Sequence, residues 1–461
     1  MKPKIAFIGA GSFIFARKIM IDLFSFAELR EAQVVLMDVD QGRLSEAAAL
    51  ASALQKQVAP GATLLATTDR RKALEGCDFV IAMFEPHGLE ARKIEVDVSM
   101  RHGVPQAIGD TLGPGGIFKG IRTATVMLEI AADMAELCPQ ALLMNYVNPM
   151  AINCWAVNEL TSVRCVGMCH GLAHTLTRLA HYLELPDELE THAAGINHMC
   201  WLLTLTHRGR DLYPDLLAGL DKYSEDDPIR FSLLKTFGYF VTESPYHLAE
   251  YLPYFTRRFA DLKVHTETSP RWNKSMCGWS GYRIEPSEGN GGKVEQLIPK
   301  AWDIQLYEGP HRLDHNLMIE ELKRSDNEVV LRLSEEYAGR IIHSIVTGTP
   351  RRLSLNVHND GLIGNLTRGC CVEVPVDVDD RGLHPQGIGE LPAHCAALCQ
   401  RNVDVQRQVV TALAEQSKDA VLHALLLDPL TGACLEPLQI AALRDDLISA
   451  LGDRLPSWLR S

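Results

Sequence analysis

Three places in this chain carry residue types that could do chemistry together. Cys169-His170 closes the apolar run Arg164–Cys169, and Asn197-His198 ends a second apolar stretch. A cysteine thiolate and an imidazole both bind borderline divalent ions. Taken singly, a cysteine or a histidine more often sits in a core or on a surface, so the ligand reading of Cys169 and His198 needs a fold that joins them. No CxxC or HExxH spacing occurs, and a structural zinc site is not indicated. The third place is Gly9-Ala10-Gly11-Ser12-Phe13-Ile14, which follows the apolar run Ile5–Ile8. Its glycines allow a tight turn and close backbone approach, and a helix opening there would offer free N–H groups to a pyrophosphate. Ile14 replaces the third glycine of the usual dinucleotide fingerprint. Asp38 ends the next apolar run, where a carboxylate can accept from both ribose hydroxyls and would repel a 2′-phosphate, which favours NAD over NADP. A structural glycine turn with a strand-end aspartate is the competing reading of the same residues.

The elements that must hold these groups follow from periodicity. Ile5–Ile8, Val34–Met37, Asp78–Phe84, Ala141–Val147 and Arg164–Cys169 are short apolar runs. Between them lie helix-like stretches such as Arg43–Gln57 and Arg122–Leu137. That alternation predicts a parallel sheet covered on both faces. Ligands of such sheets gather at the carboxyl ends of the strands. Asn148-Pro149, Glu85-Pro86-His87 and the glycine-dense Asp110–Gly116 join the candidates on that ground, the last also reading as an ordinary loop. Beyond residue 200, Trp201–Thr206 reads as a strand, and Ser334–Val346, His394–Leu427 (one or two helices) and Leu438–Leu451 read as helical. Residues 260–310 show no period and read as a long functional loop or a small insertion.

Composition narrows the class. The chain has 461 residues, 46% of them apolar, enough for two or three domains or one large α/β body. A formal net charge of −13 should repel nucleic acid and anionic membranes. No apolar run is long enough to span a bilayer. Twelve cysteines in this length do not form a dense disulfide framework, and reduced thiols in the cytoplasm are expected.

Taken together and in order, these residues resemble glycoside hydrolase family 4. The markers are Gly9-Ala10-Gly11-Ser12, Met37-Asp38-Val39-Asp40, Asp110–Gly116 with Gly120-Ile121-Arg122-Thr123, Asn145–Ala151, Gly167-Met168-Cys169-His170 and Gly195-Ile196-Asn197-His198. Later markers are Phe240-Val241-Thr242-Glu243-Ser244, His247 with Glu250-Tyr251, and Asn356 through Asn365. Within the family the chain is most similar to the α-galactosidase branch, through Asp110–Ile117, Gly369-Cys370-Cys371-Val372-Glu373-Val374 and Trp458-Leu459.

The resemblance implies an α/β fold. A Rossmann domain like that of lactate and malate dehydrogenases (residues 1–195) would precede a mixed α/β substrate, metal and oligomerisation domain (196–461). It also implies a mechanism outside the two-carboxylate scheme of most glycosidases. NAD⁺ takes hydride from C3 of the sugar, a base removes the acidified C2 proton, the glycosidic oxygen leaves by elimination, water adds, and the hydride returns. Mn²⁺ or another divalent ion on Cys169 and His198 would act as a Lewis acid on the enediolate. Tyr251 is the implied C2 base. Asn148 would touch both cofactor and sugar hydroxyls, unless it caps the following helix. Asp110 and His198 would contact substrate. His170 stands where phosphosugar α-specific members carry an Asp acid; it could donate to the leaving oxygen, or serve only structurally. Asn359, Arg340 and His343 are weaker candidates for the substrate rim or a subunit contact. Homodimers or homotetramers are expected.

The segment Val264–Gly309 departs from the branch pattern, and its Trp272, Trp279, Tyr282 and Trp302 could stack on sugar. A uronate-cleaving member of the family would need a cation such as Arg92, Lys93, Arg101 or Lys119, and an α-glucosidase of the family is a further possibility. Outside the family, a 2-hydroxyacid dehydrogenase and a non-enzymatic NAD sensor share the sheet and the glycine turn.

Overall fold

The computed structural model describes residues 2–106, 108–185, 189–257, 331 and 333–460. The expectations for Val264–Gly309 with its four aromatics lie outside the described residues, as does the Phe13 side chain proposed for the cofactor.

Short runs rich in Val, Ile, Leu and Phe, buried on both faces, make parallel strands when helices can cover them. Here β1 (Lys4–Ile8), β2 (Gln33–Met37), β3 (Thr63–Thr67), β4 (Phe79–Ala82), β5 (Leu142–Asn145) and β6 (Arg164–Gly167) pair in parallel in the order β3-β2-β1-β4-β5-β6. This is the doubly wound dinucleotide-binding order, with its switch point between β1 and β4. The sequence reading contains no strand at 63–67. As the edge strand, β3 buries none of its residues fully, so it carries no continuous apolar run.

The sheet does not stop at β6. β11 (Arg351–His358) lies antiparallel to β6, and β12 (Cys371–Asp379), β7 (Glu190–Ile196), β8 (Met199–His207) and β10 (Phe240–Val241) continue antiparallel. With the short β9 (Arg210–Asp211) and β13 (Gly382–Pro385), thirteen strands among the described residues form one sheet. Residue 195 falls inside β7, so both halves proposed from the sequence share that sheet.

One helix differs from expectation in an informative way, and the choice between one and two helices over His394–Leu427 is resolved as two. The glycine-dense segment is a loop only through Leu112, because Gly113–Leu137 is a single helix with proline in its first turn. Its N-terminus presses on the preceding loop: a Cβ on Gly115 would lie 2.8 Å from the Gly109 carbonyl oxygen. Ala393–Glu415 and Lys418–Leu427 are two helices, broken at Gln416, whose φ is +53°. Ala393–Glu415 packs on Gly113–Leu137 and Met150–Leu160, and Pro437–Leu451 packs on Gly88–Arg101. The apolar stripes of these C-terminal helices, such as Leu443, Leu447 and Leu451, are thus buried within their own chain. No helix among the described residues is long and apolar enough to cross a membrane.

Candidate active site

The carboxyl ends of the parallel strands open into a cleft of about 1710 Å³. A small-molecule pocket is typically roughly 300–1,000 Å³, so this cleft has room for more than one ligand. Gly9, Gly11, Ser12 and Asp38 line one end, and Asp110, Asn148, Cys169, His170 and His198 line the other.

At the first end, the glycines are required by geometry. Gly9 has φ +88°, and a Cβ there would lie 2.8 Å from both the Met83 carbonyl oxygen and Phe84 Cβ. The Gly11 N–H donates to Asp38 Oδ2 at 2.8 Å, and the Asp40 N–H donates to Oδ1 at 2.9 Å. Asp38, which lines the cleft, therefore ties the β1 and β2 loops together.

At the second end, three elements converge. Cys169 follows β6. His198 sits in the two-residue turn of the β7–β8 hairpin, where Ile196 pairs with Met199. Glu243 follows β10, and the Arg230 guanidinium donates to its carbonyl oxygen at 2.7 Å. One donor atom from each of Cys169, His198 and Glu243 lies within 4.8 Å of the others. Glu243 Oε2 is 3.3 Å from Cys169 Sγ and 3.4 Å from His198 Nε2. His198 has φ +64°, a left-handed conformation that a non-glycine residue adopts at a cost of order 1–3 kcal/mol. Such strain persists where the surroundings over-determine the position, as this crowded hairpin tip does.

The protonation states suit an ion. Burial, and then neighbouring His247, push the His198 imidazole down to about 4, leaving it neutral. Burial opposes ionisation of Glu243, yet the imidazoles around it, His198 first, hold its carboxyl at about 2. Burial and the Glu243 and Glu373 carboxylates raise the Cys169 thiol well above its ordinary value. An ion held here would therefore displace the thiol proton. Gly171 makes room for the cluster: a Cβ on it would overlap Glu243 Oε2 and lie 3.3 Å from Cys169 Sγ. Gly171→Ala should lower metal affinity by about 10–100-fold while leaving the melting temperature nearly unchanged, because only a side-chain end is displaced. Calorimetric titration with Mn²⁺ beside a thermal melt reads this; a large fall in melting temperature would mean that Gly171 serves the fold instead.

Ser244 caps the short helix Pro245–Tyr251, its hydroxyl accepting from the His247 N–H. That helix sets His247, Glu250 and Tyr251 against the cluster. His247 Nε2 is 3.4 Å from Asp110 Oδ1, and its ring centroid lies 4.2 Å from that of His198. Burial disfavours the His247 cation, but the carboxylates of Asp110, Glu243 and Glu250 together more than offset this and raise its pKa. Glu250 Oε1 accepts from the Ile108 and Gly109 N–H groups at 2.7 and 2.8 Å, which anchors the loop carrying Asp110. Asn148 Nδ2 donates to Asp110 Oδ2 at 3.4 Å and makes no helix cap; Pro149 occupies the cap position. Tyr251 is 1% exposed, and its hydroxyl has no hydrogen-bond partner among the described residues. Burial, and then Asp110 and Glu250, raise its pKa well above the usual phenol value. His170 lines the cleft with Nδ1 3.2 Å from Glu336 Oε1.

The fold therefore brings Asp110, Asn148, Cys169, His170 and His198 from the sequence-derived candidates to the cleft and sets Tyr251 behind His198, its ring centroid 6.3 Å away, without lining the cleft itself. Glu243, His247 and Glu336 complete the arrangement without having been assigned a role. The first two stood in quoted motifs, but no ligand spacing marks a glutamate 45 residues after His198. Three weaker candidates fall elsewhere. Asn359 is buried, donating to the Ile363, Leu366 and Thr367 carbonyls of its own turn. His343 meets Glu28 and Arg351 and stacks near Phe26, and the Arg340 guanidinium donates to the Glu336 carbonyl. None of the three lines the cleft. Arg92 and Lys119 do line it, whereas Lys93 and Arg101 do not.

Comparison with known proteins bears on this arrangement. The pattern of family 4 glycosyl hydrolases matches residues 4–185, and that of the family's C-terminal domain matches residues 193–431. An α-galactosidase of Bacillus subtilis is 34% identical over 99% of both chains. A 6-phospho-α-glucosidase from gut microorganisms, solved in complex with NAD and Mn²⁺, has a TM-score of 0.79 at 19% identity, covering 99% of each chain. A malate dehydrogenase of Cryptosporidium parvum shares the fold more loosely, with a TM-score of 0.51 at 15% identity over 90% of this chain and all of that one.

Proposed function

The chain belongs to glycosyl hydrolase family 4, and on that premise we propose that it hydrolyses α-galactosides with the help of NAD and a divalent ion, Mn²⁺ first among them. The observation that carries this reading is the Cys169–His198–Glu243 cluster at one end of a cleft whose other end is a glycine-lined nucleotide cradle. A thiolate, a neutral imidazole and a carboxylate form a donor set for a borderline divalent ion, and the Gly9 and Gly11 positions, where a Cβ would collide, fit a close-lying pyrophosphate. When bound, NAD would take and return a hydride, while the ion would polarise neighbouring sugar oxygens. The residues of the chain do the rest. Asn148 and Asp110 hold sugar hydroxyls. Tyr251 removes the C2 proton. His170 donates a proton to the departing glycosidic oxygen. His247 and the buried Glu250 fix the Asp110 loop.

A neutral glycone suits the charge balance. Lys119 Nζ lies 2.5 Å from Glu85 and 4.0 Å from Asp110, and Arg122 is held by Glu95 at 2.7 Å. A uronate or a sugar phosphate that drew on Lys119 would have to break that pair, whereas Arg92, which also lines the cleft, donates to the Ile108 carbonyl at 2.7 Å. The 34% identical α-galactosidase supports the same glycone. In this reading residues 1–195 carry the nucleotide end and also bring Asp110, Asn148, Cys169 and His170 to the substrate end, which residues 196–461 complete with His198, Glu243 and Tyr251; the protein works in the cytoplasm as a homodimer or homotetramer and binds neither nucleic acid nor membrane.

The test is a screen of aryl α-galactoside, α-glucoside, α-galacturonide and α-galactoside 6-phosphate with NAD⁺, Mn²⁺ and a thiol reductant. Turnover should be fastest on the α-galactoside, should stop on chelation, and should leave no net NADH. Preference for a charged glycone would replace the galactoside assignment, and stoichiometric NADH would instead favour a dehydrogenase.

A further inference from the structure

His170 is the only cleft residue proposed above as a proton donor, and the fold goes to some length to hold it. Its partner Glu336 is 2% exposed and comes from the far half of the chain. Glu336 sits in a segment fastened at both ends. Upstream, the Ser334 N–H and hydroxyl donate to the two Asp22 oxygens at 2.7 and 2.6 Å, and the Glu336 N–H donates to Ser334 Oγ at 3.1 Å. Downstream, the Ala338 N–H donates to the hydroxyl of Tyr146, two residues before Asn148, at 3.2 Å. The Arg340 guanidinium donates to the Glu336 carbonyl at 2.7 Å. A backbone so fixed keeps the Glu336 carboxylate beside the His170 ring. Glu336 Oε1 meets His170 at Nδ1, which leaves Nε2 on the opposite edge of an imidazole that lines the cleft. His174 packs beside it with ring centroids 4.4 Å apart and limits the alternative rotation.

We propose that Glu336 is a positioning residue for His170: by accepting from Nδ1–H it fixes the ring rotation that presents the Nε2–H of the imidazolium to the departing glycosidic oxygen, and Nε2, left with its lone pair once that proton has gone, takes one back from the water that adds. A carboxylate behind a catalytic or ligating histidine acts in this way generally. The proposal rests on the reading of His170 as proton donor, so the experiment separates the two. Nitrogen-15 spectra of histidine-labelled protein, with the His170 signals assigned by His170→Asn, read the tautomer without reference to activity. In the unsubstituted chain His170 should be locked with Nδ1 protonated; in Glu336→Gln that lock should be lost. Signals unchanged by Glu336→Gln would overturn the proposal.

Kinetics read the consequence. Glu336→Gln should lower kcat on galactosides with alkyl or sugar leaving groups by about 100-fold. With dinitrophenyl leaving groups, which need no acid, kcat should change by less than about 3-fold, and KM should move little in either case. A lost lock with equal rate losses for every leaving group would keep Glu336 as the positioning residue and overturn His170 as the donor. Glu336→Asp keeps the carboxylate and should restore both readouts in part, which distinguishes positioning from a loss of folding. A variant that folds but shows no restoration of either readout would count against the proposal.

Discussion

Cys169→Ser should cut turnover by roughly 1,000-fold or more, while the dissociation constant for NAD stays within about 3-fold of its value in the unsubstituted chain. The serine hydroxyl is isosteric enough to leave β6 and the hairpin tip in place. It is a hard, neutral donor, however, and does not replace a thiolate for a borderline ion. The Glu243 carboxylate and the His198 imidazole would then face each other 3.4 Å apart with two donors where three converged. NAD affinity should persist because its cradle, Gly9, Gly11 and Asp38, lies at the other end of the cleft and is held by backbone N–H groups on Asp38, not by the cluster. Metal titration, NAD titration and kcat measured on the same preparation read all three quantities. His198→Ala should behave alike. Loss of NAD binding in both variants would contradict the division of the cleft.

Tyr251→Phe should lower kcat by about 100- to 1,000-fold with metal and NAD affinities intact. The fold should tolerate the change well, because the hydroxyl is buried without a partner, and removing an unsatisfied polar atom costs little or even stabilises. A melting temperature equal to or above that of the unsubstituted chain is expected. The phenol is also the group whose role depends most on the ion. Burial and then the carboxylates of Asp110 and Glu250 hold its pKa well above the usual value, and a cation at the cluster is what would bring it down. Its ring centroid lies 6.3 Å from that of His198. Accordingly, exchange of the sugar C2 proton with solvent deuterium should require the metal in the unsubstituted chain and vanish in Tyr251→Phe. A variant that keeps more than about a tenth of kcat, or that still exchanges C2, would remove Tyr251 from the role of base.

Local pattern alone carried much of this protein. Five of the six parallel strands announce themselves because strands covered by helices on both faces are apolar throughout, and the glycine turn follows the first of them. Cys169, His170, Asn148 and Asp38 are legible for the same reason: each ends such a strand, and strand ends are where this architecture places ligands. The strands missed are those whose environment dilutes the signal. β3 is a half-exposed edge, and β11 and β12 belong to an antiparallel extension whose neighbours are distant in sequence. The Gly113–Gly116 turn of helix was missed because glycine density ordinarily marks a loop; its glycines serve a close packing against Gly109 and Thr111 that only the folded chain reveals.

What the residue order determined, then, is the sheet, the nucleotide turn and the identity of two ligand candidates. What the tertiary structure decided is their company. Glu243 joins Cys169 and His198 because β10 pairs with β8; Asp110 meets His247 because Glu250 grips the intervening loop; Glu336 reaches His170 across 166 positions because Ser334 is bound to Asp22. Strand and turn preferences act over a few neighbouring residues, whereas convergence of side chains from separate elements depends on long-range packing, and that information is not written at any one position.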